Sequence, residues 1–173
     1  MSLFFPTLYR RRITDVTAED LHRLGASCVL LDVDNTLTTH DAPELAANVM
    51  AWLDEMRKQF VLVIVSNNSA ERVAPFAAKV GLPFHAVSRK PLPSGFWEAG
   101  AEHQMAVEEC VVIGDQVFTD ILGANLAGMK SILLEPIEPE TEQKFIVFKR
   151  KIERPMLNSR KQKARKERDY GKK

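Results

Sequence analysis

The chain has 173 residues, of which 45% are hydrophobic and 27% are charged, and its formal net charge is +1 at neutral pH. This length suits one domain whose core buries about two thirds of the unfolded surface. No apolar run approaches the roughly 18 residues that a membrane-spanning helix needs. The N-terminus has no basic segment ahead of its apolar residues, which argues against a secretory signal. We therefore expect a cytoplasmic globular protein, with Cys28 and Cys110 as reduced, buried thiols.

The small net charge conceals a division between the body and the C-terminus. Residues 149–173 carry 12 Lys or Arg and 3 Asp or Glu, a formal charge of +9, which leaves −8 for residues 1–148. A basic tail on an acidic body suggests contact with RNA or another anionic surface. Its one aromatic residue, Tyr170, does not indicate base stacking, so non-specific phosphate contacts are expected. We predict that this tail is partly disordered.

The N-terminal segment, residues 1–26, combines aromatic and basic side chains before a short helix. Phe4, Phe5, Leu8 and Tyr9 precede three arginines at 10–12. This pattern suits either an arm packed on the body or a peripheral contact with a membrane surface, and the sequence leaves both open. Residues 17–20 resemble a capping box for a helix that Gly25 would end.

Five short apolar segments predict the strands of a mainly parallel, buried sheet. They cover residues 28–31, 60–65, 84–87, 110–113 and 131–134, and helices are predicted between them near 43–59, 70–80, 94–104 and 115–127. Pro75 predicts a kink or break in the second of these helices. Alternating strands and helices favour right-handed crossovers and a three-layer α/β domain, here residues 27–148.

Polar side chains follow four of these strands at the point where each strand ends. Asp32 and Asp34 follow the first, Ser66 and Asn67 the second, Lys90 the third, and Asp115 the fourth. Folds of this class place their sites at the carboxyl ends of the strands, near a switch in strand order. The sequence therefore predicts one polar site at this edge of the sheet.

Phosphoryl transfer is the chemistry that these side chains suit best. A carboxylate such as Asp32 can attack phosphorus when a metal ion shields the charge of the phosphate. Asp34, two residues on, can protonate the leaving oxygen and then activate water. Ser66 and Asn67 can donate hydrogen bonds to phosphoryl oxygens, and Lys90 can offset their charge. Carboxylates favour Mg²⁺ as the metal ion.

These stretches resemble the four motifs of the haloacid dehalogenase (HAD) superfamily, and within it the YqeG-like group of subfamily IIIA phosphatases. The matching stretches are Asp32-Val-Asp34-Asn-Thr36, Ser66-Asn67-Asn68, Lys90-Pro91 and Gly114-Asp115 with Asp120. The resemblance covers residues 4–157. It implies a HAD-like Rossmannoid fold around a five-stranded sheet.

The resemblance also implies a role for each matching residue. Asp32 would form an aspartyl-phosphate and, with Asp115 and the main-chain carbonyl of Asp34, would bind Mg²⁺. Asp34 would also be the acid and base, and Ser66 and Lys90 would hold the phosphoryl group. Two further residues are expected to support the site without binding the metal: Thr36, and Asp120 as a partner of Lys90.

The connections on either side of Ser66 have room for one helix and one strand each, which leaves no space for a cap domain. An open site suits a phosphate carried on a large molecule. The resemblance to mitochondrial lipid phosphatases favours phosphatidylglycerophosphate, with residues 4–12 touching the membrane. Two alternatives stay open: a soluble nucleotide or sugar phosphate as substrate, and an RNA- or ribosome-associated binding protein that uses residues 149–173.

Overall fold

Six parallel strands form the centre of the computed structural model, which describes residues 3–39 and 45–138. The strands are β1 (Leu8–Tyr9), β2 (Cys28–Leu31), β3 (Val61–Val65), β4 (Phe84–His85), β5 (Cys110–Gly114) and β6 (Lys130–Leu133). Their order across the sheet is β1-β6-β5-β2-β3-β4, and each neighbouring pair is parallel. The predicted parallel α/β architecture is therefore confirmed.

Helices cover both faces of this sheet, as the three-layer prediction requires. They are α1 (Ala18–Arg23), α2 (Ala47–Met56), α3 (Ala70–Val80), α4 (Ser94–Ala101) and α5 (Leu122–Leu126). On one face, Leu31 and Ile64 of the sheet pack in a core with Leu53 of α2 and Val73 of α3. On the other face, alternate strand residues meet α4 and α5, in a core that includes Leu30, Val63, Phe96 and Ala124. This alternation follows from the two-residue period of a strand.

The sheet has six strands, and the prediction of five was wrong. The additional strand, β1, comes from the N-terminal arm and pairs with β6 through Leu8 opposite Ile132 and Tyr9 opposite Leu133. A strand of two residues is too short to produce a hydrophobic period, so it could not be predicted from periodicity. The rest of the arm also packs on the body, since the ring of Phe4 meets that of Phe118 edge-on at 5.7 Å.

The predicted break at Pro75 does not occur, because α3 runs without interruption from Ala70 to Val80. Pro75 and Glu71 are both exposed, so the Glu71 carbonyl that proline leaves without a partner lies where water can reach it. Gly81 ends the helix in the left-handed conformation, at φ +66°, as its position predicts. Helix α2 begins at Ala47 rather than near 43, and residues 40–44 lie outside the described ranges.

The two cysteines are buried and reduced, as predicted. They lie opposite each other on neighbouring strands, Cys28 in β2 and Cys110 in β5. No helix within residues 3–39 and 45–138 has both the length and the apolar character needed to cross a membrane. The basic tail, residues 149–173, lies outside the described residues.

Candidate active site

The strand order brings the predicted site residues to one edge of the sheet. The chain passes from β2 to β3 and β4 on one side, and then returns to β5 and β6 on the other. Asp32 continues the pairing of β2, because its N–H donates to the Ile113 carbonyl at 2.9 Å. Asp115 follows β5 directly, and the N–H of Ser66, after β3, donates to His85 of β4 at 3.1 Å. The switch in strand order therefore lies beside Asp32.

Lys90 occupies the centre of this edge, with its side chain 4% exposed. Its ammonium donates to Asp32 Oδ1 at 2.6 Å, to Asp120 Oδ1 at 2.7 Å and to the Val65 carbonyl at 3.0 Å. Burial lowers the pKa of Lys90, but the charges of Asp120 and Asp32 outweigh it and hold that pKa above its ordinary value. The ammonium is therefore charged at any physiological pH.

Asp32 is held at both of its carboxylate oxygens. Oδ1 accepts from Lys90, and Oδ2 accepts from the Thr36 hydroxyl at 3.2 Å. Burial raises the pKa of Asp32 to about 7, even though the charge of Lys90 lowers it; the charges of Asp120 and Asp34 add to the increase. The surroundings of Asp32 in the protein thus oppose its ionisation.

Three carboxylates lie close enough together to hold a cation. Asp32, Asp115 and Asp120 each offer an oxygen within 4.8 Å of the others. With Lys90 as the cation bonded to two of them, the group has a formal charge of −2. Buried charge of this size is costly unless a cation offsets it, and carboxylate oxygens are ligands that Mg²⁺ accepts. The donor set thus fits a hard divalent ion.

The hydrogen bonds of Asp120 differ from those that Asp32 and Asp115 share. Both oxygens of Asp120 are engaged by the protein, because Oδ1 accepts from Lys90 and Oδ2 accepts from the Gln116 N–H at 3.1 Å. Asp32 and Asp115 are instead joined through Thr36, whose hydroxyl lies 3.2 Å from Asp32 and 3.4 Å from Asp115. Asp120 therefore binds the Lys90 ammonium and a main-chain N–H, whereas Asp32 and Asp115 share the Thr36 hydroxyl.

Gly114 allows Asp120 to reach this position. A β-carbon added at Gly114 would lie 2.4 Å from Asp120 Cγ, well inside van der Waals contact. Asp120 itself lies on a π-helical turn, Val117–Ile121, that precedes α5. The glycine that ends β5 thus makes room for the carboxylate that partners Lys90.

Asn67 fixes the segment that carries Lys90. Its side-chain amide donates to the Lys90 carbonyl at 3.1 Å, while its Oδ1 accepts from the Lys90 N–H at 2.7 Å and from the Ser88 hydroxyl at 3.0 Å. The sequence predicts a bond from Asn67 to substrate. The structure shows this amide bonded to the protein backbone, so Asn67 has the contacts of a positioning residue.

Asn68 is a site residue to which the sequence analysis gave no role. Its side-chain amide donates to Asp34 Oδ2 at 2.8 Å, and its N–H donates to the Ser66 hydroxyl oxygen at 3.1 Å. Asn68 therefore orients both the predicted acid and base and the predicted phosphoryl ligand. The Ser-Asn-Asn motif contained this residue, but a contact between β2 and β3 cannot be read from spacing within one stretch.

Comparisons with known proteins agree with this geometry. A family model described as HAD-hydrolase-like matches residues 87–136. The chain is 36% identical to the Probable phosphatase YqeG of Bacillus subtilis over 163 residues, which are 93% of this chain and 94% of that protein. It is 26% identical over 162 residues to the chloroplastic phosphatidylglycerophosphate phosphatase 1 of Chlamydomonas reinhardtii, and the match covers 88% of this chain and 60% of that protein.

Solved structures resemble this chain in fold. An uncharacterized protein from Listeria monocytogenes serotype 4b superposes with a TM-score of 0.55 at 22% identity, over 68% of this chain and 85% of that one. A haloacid dehalogenase-like hydrolase from Streptococcus pneumoniae superposes with a TM-score of 0.52 at 16% identity, over 63% of this chain and 84% of that one. At these identities the likeness shows the fold, and it agrees with the parallel sheet described above.

Proposed function

The chain belongs to the YqeG-like family of haloacid dehalogenase-type phosphatases, and from this premise we propose that it hydrolyses phosphomonoesters through an aspartyl-phosphate on Asp32. The observation that carries the proposal is the position of Asp32. This carboxylate ends the central strand, and its two oxygens accept hydrogen bonds from Lys90 and Thr36. These contacts fix its orientation, which is what a nucleophile needs in order to attack in line with a leaving group.

The reaction has two steps in this proposal. In the first, an oxygen of Asp32 forms a bond to phosphorus, the bond from phosphorus to the leaving oxygen breaks, and Asp34 gives that oxygen a proton. In the second, Asp34 takes a proton from water, which attacks phosphorus and releases phosphate and the free carboxylate of Asp32. The bond from Asn68 to Asp34, 2.8 Å long, would orient the acid for both steps.

Lys90 and Ser66 would hold the transferring group. Lys90 is charged and already lies 2.6 Å from Asp32, so it can balance negative charge that builds up on the phosphoryl oxygens. Ser66 is 3% exposed, and the N–H of Asn68 bonds to its hydroxyl oxygen, which leaves the hydroxyl proton to be donated elsewhere. Both side chains are thus positioned before the substrate arrives.

The enzyme is proposed to depend on Mg²⁺, held by the carboxylates of Asp32 and Asp115 and the main-chain carbonyl of Asp34. When bound, the ion would offset the charge of this acidic group and of the substrate phosphate. Thr36 supports the choice of the first two ligands, since its hydroxyl approaches both carboxylates. Asp120 would stay with Lys90 and Gln116, which occupy its two oxygens.

The substrate we propose is phosphatidylglycerophosphate, or another phosphate on a large or membrane-bound molecule. The relative from Chlamydomonas reinhardtii is named a phosphatase of this lipid. Among the described residues, α2 is the helix between β2 and β3, and α3 is the helix between β3 and β4, which supports a site without a cap domain. Val87 and Leu92, on either side of Lys90 in sequence, are 53% and 55% exposed and offer apolar surface beside the site for a membrane.

The first experiment is phosphate release with and without Mg²⁺, on phosphatidylglycerophosphate in mixed micelles and on a panel of soluble nucleotide and sugar phosphates. Asp32→Asn removes the proposed nucleophile, and Asp54→Asn is the matched control because Asp54 is 61% exposed on α2. We expect Mg²⁺-dependent release that Asp32→Asn abolishes and the control keeps, with a preference for the lipid. Turnover of soluble esters alone would contradict the proposed substrate, and undiminished release by Asp32→Asn would contradict the mechanism.

A further inference from the structure

A cavity of about 320 Å³ lies directly beside the proposed acid and base. Asp34, Ser66 and Asn68 contribute to its wall, and so do Arg72 and Lys79 of helix α3. In the reaction proposed above, Asp34 protonates the leaving oxygen. The cavity next to Asp34 is therefore where the leaving group, the part of the substrate beyond that oxygen, would extend.

The wall that α3 contributes combines an apolar strip with two cations. Arg72, Phe76 and Lys79 are spaced at i, i+4 and i+7, which puts them on one side of the helix. The rise of a helix separates the backbone positions of Arg72 and Lys79 by about 10 Å. Val73, 4% exposed, and Phe76 also line the cavity. A leaving group that lay along this wall would meet hydrocarbon as well as positive charge.

The charges in the cavity differ between its two walls. Asp34, on the side of the reaction centre, is an acidic residue, whereas α3 contributes two basic side chains, Arg72 and Lys79. An anionic group on the leaving group would be attracted by these two basic side chains. Charge complementarity thus selects a leaving group whose anion lies away from the scissile phosphate, with a short neutral segment between them.

We propose that Arg72 and Lys79 bind a second anionic group on the leaving group, such as a phosphodiester. This inference rests on the proposed phosphatase activity and specifies its substrate class: a phosphomonoester joined to a second anion through a small linker. In this proposal the two cations determine specificity and stay outside the chemistry, because the proposed mechanism gives attack to Asp32 and proton transfer to Asp34.

The test compares two water-soluble esters that differ in the second anion. Glycerol 3-phosphate has one phosphate, whereas glycerophosphoglycerol phosphate, the deacylated form of the lipid, has a phosphodiester as well. The variants are Arg72→Ala and Lys79→Ala, with Lys58→Ala as the matched control, because Lys58, in the turn that follows α2, is exposed and does not line the cavity.

We expect wild-type kcat/KM to favour the diester-containing ester. Each cavity variant should lower kcat/KM for that ester about three- to fivefold, as loss of a solvent-exposed ion pair implies, and should leave kcat/KM for glycerol 3-phosphate unchanged. Lys58→Ala should change neither value. Equal losses on both esters, or no loss on either, would overturn the proposal.

Two further experiments distinguish failure of the proposed subsite from failure of the phosphatase activity on which it rests. On the intact lipid in mixed micelles, the kcat/KM of the cavity variants should fall by the same factor as on the deacylated form. A fall in kcat/KM on micelles alone would show that Arg72 and Lys79 contact the lipid surface, and it would overturn the proposed subsite. Glycerophosphoglycerol, which lacks the scissile phosphate, should bind in titration calorimetry and bind more weakly to Arg72→Ala. If neither ester is hydrolysed, the phosphatase proposal fails, and this titration alone decides the subsite.

Discussion

Replacing Lys90 with methionine tests whether its ammonium group stabilises the folded protein by offsetting the buried charges of Asp32 and Asp120. The substitution removes three hydrogen bonds, of 2.6, 2.7 and 3.0 Å, and keeps a side chain of similar length. Removing one partner of a buried ion pair costs about 3–5 kcal/mol. We therefore expect the free energy of unfolding of Lys90→Met to fall by about 3 kcal/mol at pH 8 in EDTA.

The loss should be smaller at pH 5, for a reason that the structure supplies. Burial already raises the pKa of Asp32 to about 7, and without Lys90 it should rise further. At pH 5 the carboxyl of Asp32 is then neutral, so less uncompensated charge is buried. Urea unfolding at the two pH values measures the difference, with Lys58→Met as the exposed control. Equal losses at pH 5 and pH 8 would refute this reasoning.

The same variant should be nearly inactive. Removing a donor that stabilises charge in a transition state lowers kcat by about 10²–10³, and Lys90 is the cation bonded to the proposed nucleophile. Phosphate release at saturating substrate and Mg²⁺ measures the effect in the folded variant. A kcat within about threefold of wild type would show that Lys90 has no part in holding the phosphoryl group.

Three other substitutions test separate parts of the site. Asn68→Ala should lower kcat about tenfold with little change in KM, because the variant loses the hydrogen bond that orients the Asp34 carboxyl group, and a bond of this kind is worth about 1 kcal/mol or more; an unchanged kcat would contradict its positioning role. Gly114→Ala should displace Asp120, because the added β-carbon would lie 2.4 Å from its Cγ, and should destabilise the fold by about 1–3 kcal/mol and reduce kcat; an unfolding transition and kcat equal to those of wild type would contradict this contact. Asp32→Asn should raise the free energy of unfolding in EDTA by up to about 4 kcal/mol at pH 8 and by little at pH 4, since a carboxyl whose pKa rises from 3.8 to about 7 on folding destabilises the native state progressively across that interval; a stabilisation equal at both pH values would contradict the sign of this effect.

The buried strands and the acids at their ends were predictable because both depend on residues close together in the chain. Val29, Leu30 and Leu31 form a continuous apolar run, and a run of this kind that ends in Asp32 indicates a central strand of a parallel sheet. The same argument located Ser66, Lys90 and Asp115 at one edge of the sheet. Parallel topology makes those carboxyl ends neighbours whatever their separation in sequence.

The parts that could not be predicted depend on contacts between distant segments. Strand β1 exists because β6 presents unpaired backbone groups at the edge of the sheet, and two residues cannot carry a periodic signal. The bond from Asn68 to Asp34 and the bonds from Asn67 to the Lys90 backbone each cross between loops. An asparagine after a strand suggests a turn or a cap as readily as it suggests a site, so its partner must be seen in the structure.

The measurement that tests the central claim most directly is detection of phosphate on Asp32 during turnover. Rapid acid quenching of the enzyme with substrate and Mg²⁺, followed by peptide mass spectrometry, would identify the modified residue. We expect a phosphate adduct on the peptide that contains Asp32, formed and lost at rates consistent with kcat, and no adduct in Asp32→Asn. Full turnover with no adduct on Asp32, or an adduct on another residue, would contradict the assignment of Asp32 as the nucleophile.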